Sequence, residues 1–167
     1  MKIGIISDTH LGSSATKLPD ELVRGLQGVE IILHAGDWVS PHVVGLVERI
    51  APVQSVAGNN DGPDIVDRFG YAKRLLLDGV RIGLVHGDGV RKTTAERAMD
   101  TFRDDLPDLL VYGHSHIPEK RMVGSTLLFN PGSPTDKRRQ PRYSYGLVTV
   151  QEGRIVTAEL VYYDNKA

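Results

Sequence analysis

The sequence predicts a layered α/β fold that mixes parallel and antiparallel strands. Three observations predict it. Short, nearly unbroken apolar runs recur at residues 2–7, 30–33 and 52–57, the pattern of strands buried on both faces. Apolar residues at helical spacing separate these runs, so the first 60 residues read β-α-β-α-β. Beyond them, two apolar runs flank Asp78-Gly79, the dipeptide of a tight hairpin, which brings in antiparallel pairing.

The first helix is expected over residues 19–28, where Leu22, Val23 and Leu26 share a face and Pro19 suits a first turn. Ser40 and Pro41 read as the N-cap and first residue of a second helix reaching residue 50. The hairpin strands are residues 71–78 and 80–85. Residues 92–105 form an amphipathic helix with Ala95, Ala98, Met99 and Phe102 on one face. Strands follow at residues 108–112, 127–129, 145–150 and 154–162, the last two joined at Glu152-Gly153. Residues 136–143 carry the one basic cluster, Lys137, Arg138, Arg139 and Arg142. They read as a solvated loop or as a mobile one that attracts an anionic substrate. Residues 165–167 are expected to fray.

Length and composition bound the function. The 167 residues suit a single domain, 1–167, with no internal repeat or linker. Twenty Lys and Arg against 21 Asp and Glu leave a net charge of −1, which argues against a general nucleic-acid surface. The absence of Cys removes disulfides, thiolate zinc sites and thiol nucleophiles together. No apolar run approaches the ~20 residues needed to cross a bilayer, and no signal peptide is seen, so a cytoplasmic location is expected.

Five strands end in polar clusters: Asp8-Thr9-His10, Gly36-Asp37, Gly58-Asn59-Asn60-Asp61, His86-Gly87 and Gly113-His114-Ser115-His116. Ligand sites in open α/β sheets lie at such carboxyl ends. The clusters offer two carboxylates, one amide oxygen and four imidazoles, seven ligand-type side chains, too many for one tetrahedral site. They suit two divalent ions sharing a carboxylate. Nitrogen and oxygen donors without sulfur favour Mn, Fe, Zn, Ni or Co over Ca or Mg. Taken singly, each residue has a plainer reading. Asp8 or Asp37 could cap a helix, Asn59 could make an Asx-turn, and His86, His114 and His116 could be loop histidines.

The order of these motifs resembles that of the calcineurin-like metallophosphoesterases. The small size and the later Asn130-Pro131-Gly132-Ser133 look most like the YfcE-type phosphodiesterases. The resemblance covers residues 1–135 and implies a four-layer αββα sandwich. It implies that Asp8, His10 and His116 hold one metal, that Asn59, His86 and His114 hold a second, and that Asp37 bridges them. The cofactors implied are two divalent transition-metal ions, manganese first, with iron, nickel or zinc accepted. The reaction implied is hydrolysis of a small phosphoester by in-line attack of a hydroxide shared between the metals. Relatives often form dimers or larger homo-oligomers.

One position departs from many relatives. Where they carry a His that can protonate the leaving group, this chain has Asn60, and an amide delivers no proton. Asp61 could orient a neighbouring ligand or cap the next segment. Both residues are expected at the site, beside the substrate or behind the ligands. His34 reads as a packed or supporting histidine, His42 as solvent-facing, Trp38 as core, and Asn130 to Ser133 as a turn lining the site. Two other readings share the fold. One is a catalytically weak, retromer-subunit-like scaffold that binds proteins. The other is a phosphomonoesterase of the protein-phosphatase type. The seven retained ligand positions count against the first; Asn60 and the short chain count against the second.

Overall fold

The structure is a computed structural model and describes residues 1–166. Two five-stranded sheets pack face to face. The first has the order β10-β9-β1-β2-β3, built from β1 (Lys2–Ile6), β2 (Ile31–His34), β3 (Val53–Ser55), β9 (Tyr143–Gln151) and β10 (Arg154–Tyr163). Within it β1, β2 and β3 run parallel, and β9 and β10 close one side antiparallel. Helices α1 (Asp20–Gly25), α2 (His42–Glu48) and α3 (Pro63–Phe69) cover its outer face.

The second sheet has the order β4-β5-β6-β8-β7, from β4 (Ala72–Leu77), β5 (Val80–Val85), β6 (Leu109–Val111), β7 (Glu119–Val123) and β8 (Thr126–Asn130). Its centre, β5-β6-β8, is parallel, and α4 (Thr94–Thr101) packs on its outer face. The result is the four-layer αββα sandwich the resemblance implies.

Two buried faces explain the unbroken apolar runs. Ile3 and Ile5 point into the inter-sheet core with Leu33, Ile82, Leu84, Leu109, Val111 and Phe129, while Ile6 faces the helices with Leu22, Ile32 and Val44. Leu110 and Leu128 turn outward to meet Ala98 and Phe102 of the α4 layer. Asp78 and Gly79, at φ 45° and 80°, make the expected hairpin turn between β4 and β5.

Several elements differ from the sequence reading. Helix α2 starts at His42 with Pro41 before it in helical conformation, and Ser40 does not cap it; the Ser40 hydroxyl pairs with His42 Nδ1 at 2.7 Å instead. Helix α4 is shorter than residues 92–105: Thr93 caps its start, its Oγ1 accepting from the Glu96 amide at 3.1 Å, and after Thr101 the chain passes into turns. Helix α3 and strand β7 have no counterpart in the sequence reading. The first buries only Ile65 and Phe69, and the second is a polar edge strand whose sequence, EKRMV, carries no alternating pattern. At the C-terminus Lys166 is held, donating to the Thr135 carbonyl at 3.1 Å; the fraying expected at Ala167 lies outside the described residues.

Candidate metal centre

The loops that follow β1, β2, β3, β5 and β6 meet at one end of the sandwich. Backbone hydrogen bonds stitch them together: the Asp8 amide donates to Gly36 O at 2.9 Å, His10 to Asp37 O at 3.1 Å, and Gly113 to His86 O at 3.0 Å. The His114 amide donates to the Asp8 carboxylate at 3.0 Å, joining the two sheets. Asp8, His10, Asp37, His114 and His116 all take left-handed backbone conformations, with φ between 44° and 69°. Such strain persists only where the surroundings enforce it, and it gathers at functional sites. Two glycines follow from the crowding. A Cβ at Gly58 would stand 2.1 Å from Asp37 Oδ1, and one at Gly113 would stand 2.0 Å from Ser7 Oγ and 2.6 Å from Asp8 Oδ2.

Five predicted ligands converge. Asp8 Oδ1 lies 3.7 Å from His10 Nε2, 3.7 Å from His86 Nε2 and 3.6 Å from His116 Nε2. Asp37 Oδ2 lies 3.3 Å from His10 Nε2 and 3.2 Å from His86 Nε2. Among the described residues, four buried side-chain atoms lack a hydrogen-bond partner: Asp8 Oδ1 and the Nε2 atoms of His10, His86 and His116. All four belong to this cluster. A buried polar atom without a partner costs about 1–3 kcal/mol, so four in one place mark a position built for a charge. The donors divide into two overlapping groups, Asp8-His10-His116 and Asp8-Asp37-His86.

The ring tautomers agree. His86 Nδ1 meets the Ala35 carbonyl at 2.7 Å, and His116 Nδ1 meets the Asp136 carbonyl. Each ring therefore holds a proton on Nδ1 and presents Nε2 to the carboxylates. Burial alone would lower His10 and His86, but the facing Asp37 and Asp8 carboxylates outweigh it and push both up to about 9. Burial alone would raise the two carboxyls, but the imidazoles hold both below the usual carboxylate range. The cluster concentrates negative charge that protons or cations must balance.

The other predicted residues lie around this core. His114 is partly exposed, its ring edge-on to His86 at 5.2 Å, outside both donor groups. Asn59 is exposed. Asn60 binds Asp37 twice, by its backbone amide to Oδ1 at 2.9 Å and by Nδ2 to Oδ2 at 3.0 Å. Asp61 accepts three backbone amides at 2.8 Å each, from Asp37, Val39 and Gly58. It fixes the loop that carries Asp37.

Supporting residues complete the site. His34 is buried and joins two ligand loops, with Nε2 on Thr9 Oγ1 at 3.1 Å and Nδ1 accepting from the Gly36 amide at 3.0 Å. Its ring stacks on core Trp38 at 3.6 Å, and burial drives it down to about 3. His42 is exposed, yet it grips the Ala15 carbonyl at 2.7 Å. The Asn130 to Ser133 turn holds the ligand loops from behind. Asn130 Nδ2 donates to Gly113 O and Ser115 Oγ at 3.1 Å, and Ser133 Oγ donates to Asp8 O at 2.8 Å. Sequence reasoning missed the Ser7 hydroxyl, which donates to Asp8 Oδ2 at 2.7 Å, and the roles of Ser133 and Asp136. The signal was there for Ser133: it follows another parallel strand, β8, whose end falls at the same edge. In the basic loop, Arg142 pairs with Asp164 at 2.9 Å and Arg138 with Asp136 at 3.7 Å.

An αββα sandwich with an Asp and His cluster spanning the strand ends of both sheets defines a metal-dependent phosphoesterase. Residues 1–153 match the calcineurin-like phosphoesterase superfamily domain, and the chain belongs to that superfamily. A probable metallophosphoesterase of Methanothermobacter thermautotrophicus is 35% identical over 138 residues, 83% of this chain and 80% of that protein. A phosphodiesterase of Methanocaldococcus jannaschii is 30% identical over 147 residues, 79% of this chain and 83% of the other. Among solved structures, Vps29 of Entamoeba histolytica in complex with zinc superposes with a TM-score of 0.78 at 20% identity, covering 98% of this chain and 99% of that one, which shows the shared fold. Among the described residues, no helix is long and apolar enough to cross a membrane.

Proposed function

We propose that this chain is a dinuclear metal-dependent phosphodiesterase acting on a small phosphoester in the cytoplasm. The observation that carries the reading is the convergence of four partnerless buried atoms on Asp8, His10, His86 and His116. Asp8, His10 and His116 would hold one divalent ion, manganese by preference, with iron, nickel or zinc accepted by the same donors. Asp37 and His86 would hold the second, with Asn59 and His114 completing it and Asp37 shared. Bound cations polarise a phosphoryl oxygen and bring the pKa of water toward neutrality.

The chain's own groups prepare that chemistry. Protons on Nδ1 of His86 and His116, committed to the Ala35 and Asp136 carbonyls, make Nε2 the ligating atom of each ring. The two Asn60 amides hold the Asp37 carboxylate, and Asp61 holds the Asp37 backbone amide. Asn60 delivers no proton to the leaving oxygen, so good leaving groups depart far more readily than alkoxides. The seven intact ligand positions argue against a protein-binding scaffold without catalysis.

The test is metal-depleted protein supplied in turn with Mn, Ni, Zn or Mg. Bis(4-nitrophenyl) phosphate is the diester and 4-nitrophenyl phosphate the monoester. Diester turnover restored by a transition metal, with two ions bound per chain by mass spectrometry, is the expected result. No turnover with any metal overturns the enzyme reading, and faster monoester turnover overturns the diesterase reading.

A further inference from the structure

The loop of residues 87–93 begins directly after His86 and runs to the start of α4. Its backbone is hard to hold. Gly87, Gly89, Arg91 and Lys92 all have positive φ, at 92°, 146°, 61° and 58°. Arg and Lys side chains resist that region, so the surroundings must enforce it. Secondary structure does not. From Gly87 to Lys92, among the described residues, no backbone group pairs with another backbone group.

One side chain supplies the missing bonds. Arg97 Nε donates to Gly87 O at 2.8 Å, and Nη1 donates to Arg91 O at 2.7 Å and to Lys92 O at 2.8 Å. Nη2 adds the Thr94 hydroxyl at 3.3 Å. The fixed fork of a guanidinium suits several acceptors at once. The loop wraps the side chain closely, since a Cβ at Gly89 would stand 2.8 Å from Arg97 Cδ. Arg97 itself stands on a firm base: Ala95 and Ala98, on either side of it in α4, are buried in one cluster with Leu110 and Leu128 of the second sheet. The grip reaches a predicted ligand. His86 is fixed on one side by its Nδ1 bond to Ala35 O and by the Gly113 amide on its carbonyl. Its other side is the chain that follows, and Gly87 O is where Arg97 takes hold. The charge has a cost. Burial and the His86 ring hold the His114 imidazole below its ordinary value, and the Arg97 charge acts on it in the same direction. A fixed cation that near a site for divalent ions weakens their binding, unless it gives something in return.

We propose that Arg97 is a positioning residue for the second metal ion, clamping the 87–93 loop through three carbonyls so that His86 presents Nε2 in one place. The inference rests on the dinuclear reading above. It adds a residue outside the seven ligand positions that sets how tightly one half of the centre is filled. It also gives the strain at Arg91 and Lys92 a use: both carbonyls are turned onto one guanidinium.

Metal-free protein titrated with Mn and followed by native mass spectrometry counts chains holding one ion and two. The wild type should fill in two steps. Arg97→Met keeps the aliphatic stem and removes every donor. One step should then weaken by roughly 10–100-fold, the usual range for groups that support ligands, while the other holds. Gly89→Ala keeps the charge but crowds the guanidinium off the loop, and it should weaken the same step; should Arg97→Met not fold, Gly89→Ala carries the test alone. Lys92→Gln cuts the exposed ion pair of Lys92 with Asp100 and spares the three carbonyls, so it should bind Mn as the wild type does. Unchanged or tighter binding in Arg97→Met overturns the role, tighter binding being what loss of a nearby cation alone would give. Equal weakening of both steps, or an equal loss in Lys92→Gln, overturns it too, by showing a general loosening in place of a hold on His86. A wild type that takes up a single ion removes the dinuclear reading itself.

Discussion

The two sheets contribute differently to the metal centre. The first sheet supplies both carboxylates and one imidazole, His10. Asp8 and Asp37 follow β1 and β2, and each is held by several hydrogen bonds: the Ser7 hydroxyl and the His114 backbone amide on Asp8, Asn60 and the Asp61-anchored loop on Asp37. The second sheet supplies imidazoles, and backbone carbonyls hold two of them, Ala35 for His86 and Asp136 for His116. Charge is fixed on one side by dense hydrogen bonding, and tautomer is fixed on the other by single carbonyls. Loss of a first-sheet group should therefore disturb charge and geometry together. Loss of a second-sheet group should remove one donor and leave the rest in place.

The largest effect is expected at Asp37. Asp37→Asn keeps the shape but removes a charge that faces two imidazoles at 3.3 and 3.2 Å. Activity should fall by roughly 10³-fold or more, since several kcal/mol of charge stabilisation disappear. Bound metal should fall from two ions per chain toward one. His116→Asn, on the second sheet, should cost less in kcat/KM than Asp37→Asn. Equal losses would erase the contrast between the sheets.

Asp61 sharpens the same point from behind. It accepts three backbone amides, so Asp61→Asn presents an amide group where only acceptors fit. Metal affinity should fall by about 10–100-fold, the usual range for groups that support ligands. A calorimetric titration with Mn measures it, and unaltered affinity would show that the Asp37 loop keeps its shape alone.

What was legible in the sequence follows this division. The gathering of Asp8, His10, Asp37, His86 and His116 at one edge was legible because a parallel strand delivers its C-terminal residues there regardless of the details. Helix α3 and strand β7 were not legible: one buries two side chains and the other lies at a polar sheet edge, so neither leaves a periodic signal. Ser40 misled because its hydroxyl found His42 in place of a helix amide. The supports were legible only as types. Asp61 and His34 were recognisable as polar groups near ligands, but their partners are set by contacts between loops far apart in the chain. Asp136 acts through its carbonyl, which no side-chain pattern reveals.

Imidazoles from both sheets make metal uptake depend on pH. In protein stripped of metal by chelation, His10 and His86 titrate at about 9. At pH 7.5 both therefore carry a proton on Nε2 that a metal must displace. Mn binding should release close to two protons per chain, read from titrations in buffers of different ionisation enthalpy. Affinity should climb as pH rises toward 9 and then level. A release near zero at pH 7.5 would mean that the carboxylates do not hold these rings charged.

His34 titrates in the opposite sense and gives the smallest effect. Its buried ring stays neutral down to about 3, while in the unfolded chain it takes a proton near 6.5. Between those values the unfolded chain binds the extra proton, so stability falls as pH drops from 6.5 toward 3, by up to about 1.4 kcal/mol per pH unit. From pH 7 to pH 5 this one ring should cost the fold about 2 kcal/mol. His34→Gln keeps polar atoms for Thr9 and Gly36 and removes the titration. Urea unfolding of chelated wild type and variant at the two pH values isolates the term, because the opposing contributions of His10 and His86 are common to both and cancel in the difference. If the two proteins lose the same stability on acidification, His34 is not the neutral clasp between the Asp8 and Asp37 loops that its hydrogen bonds describe.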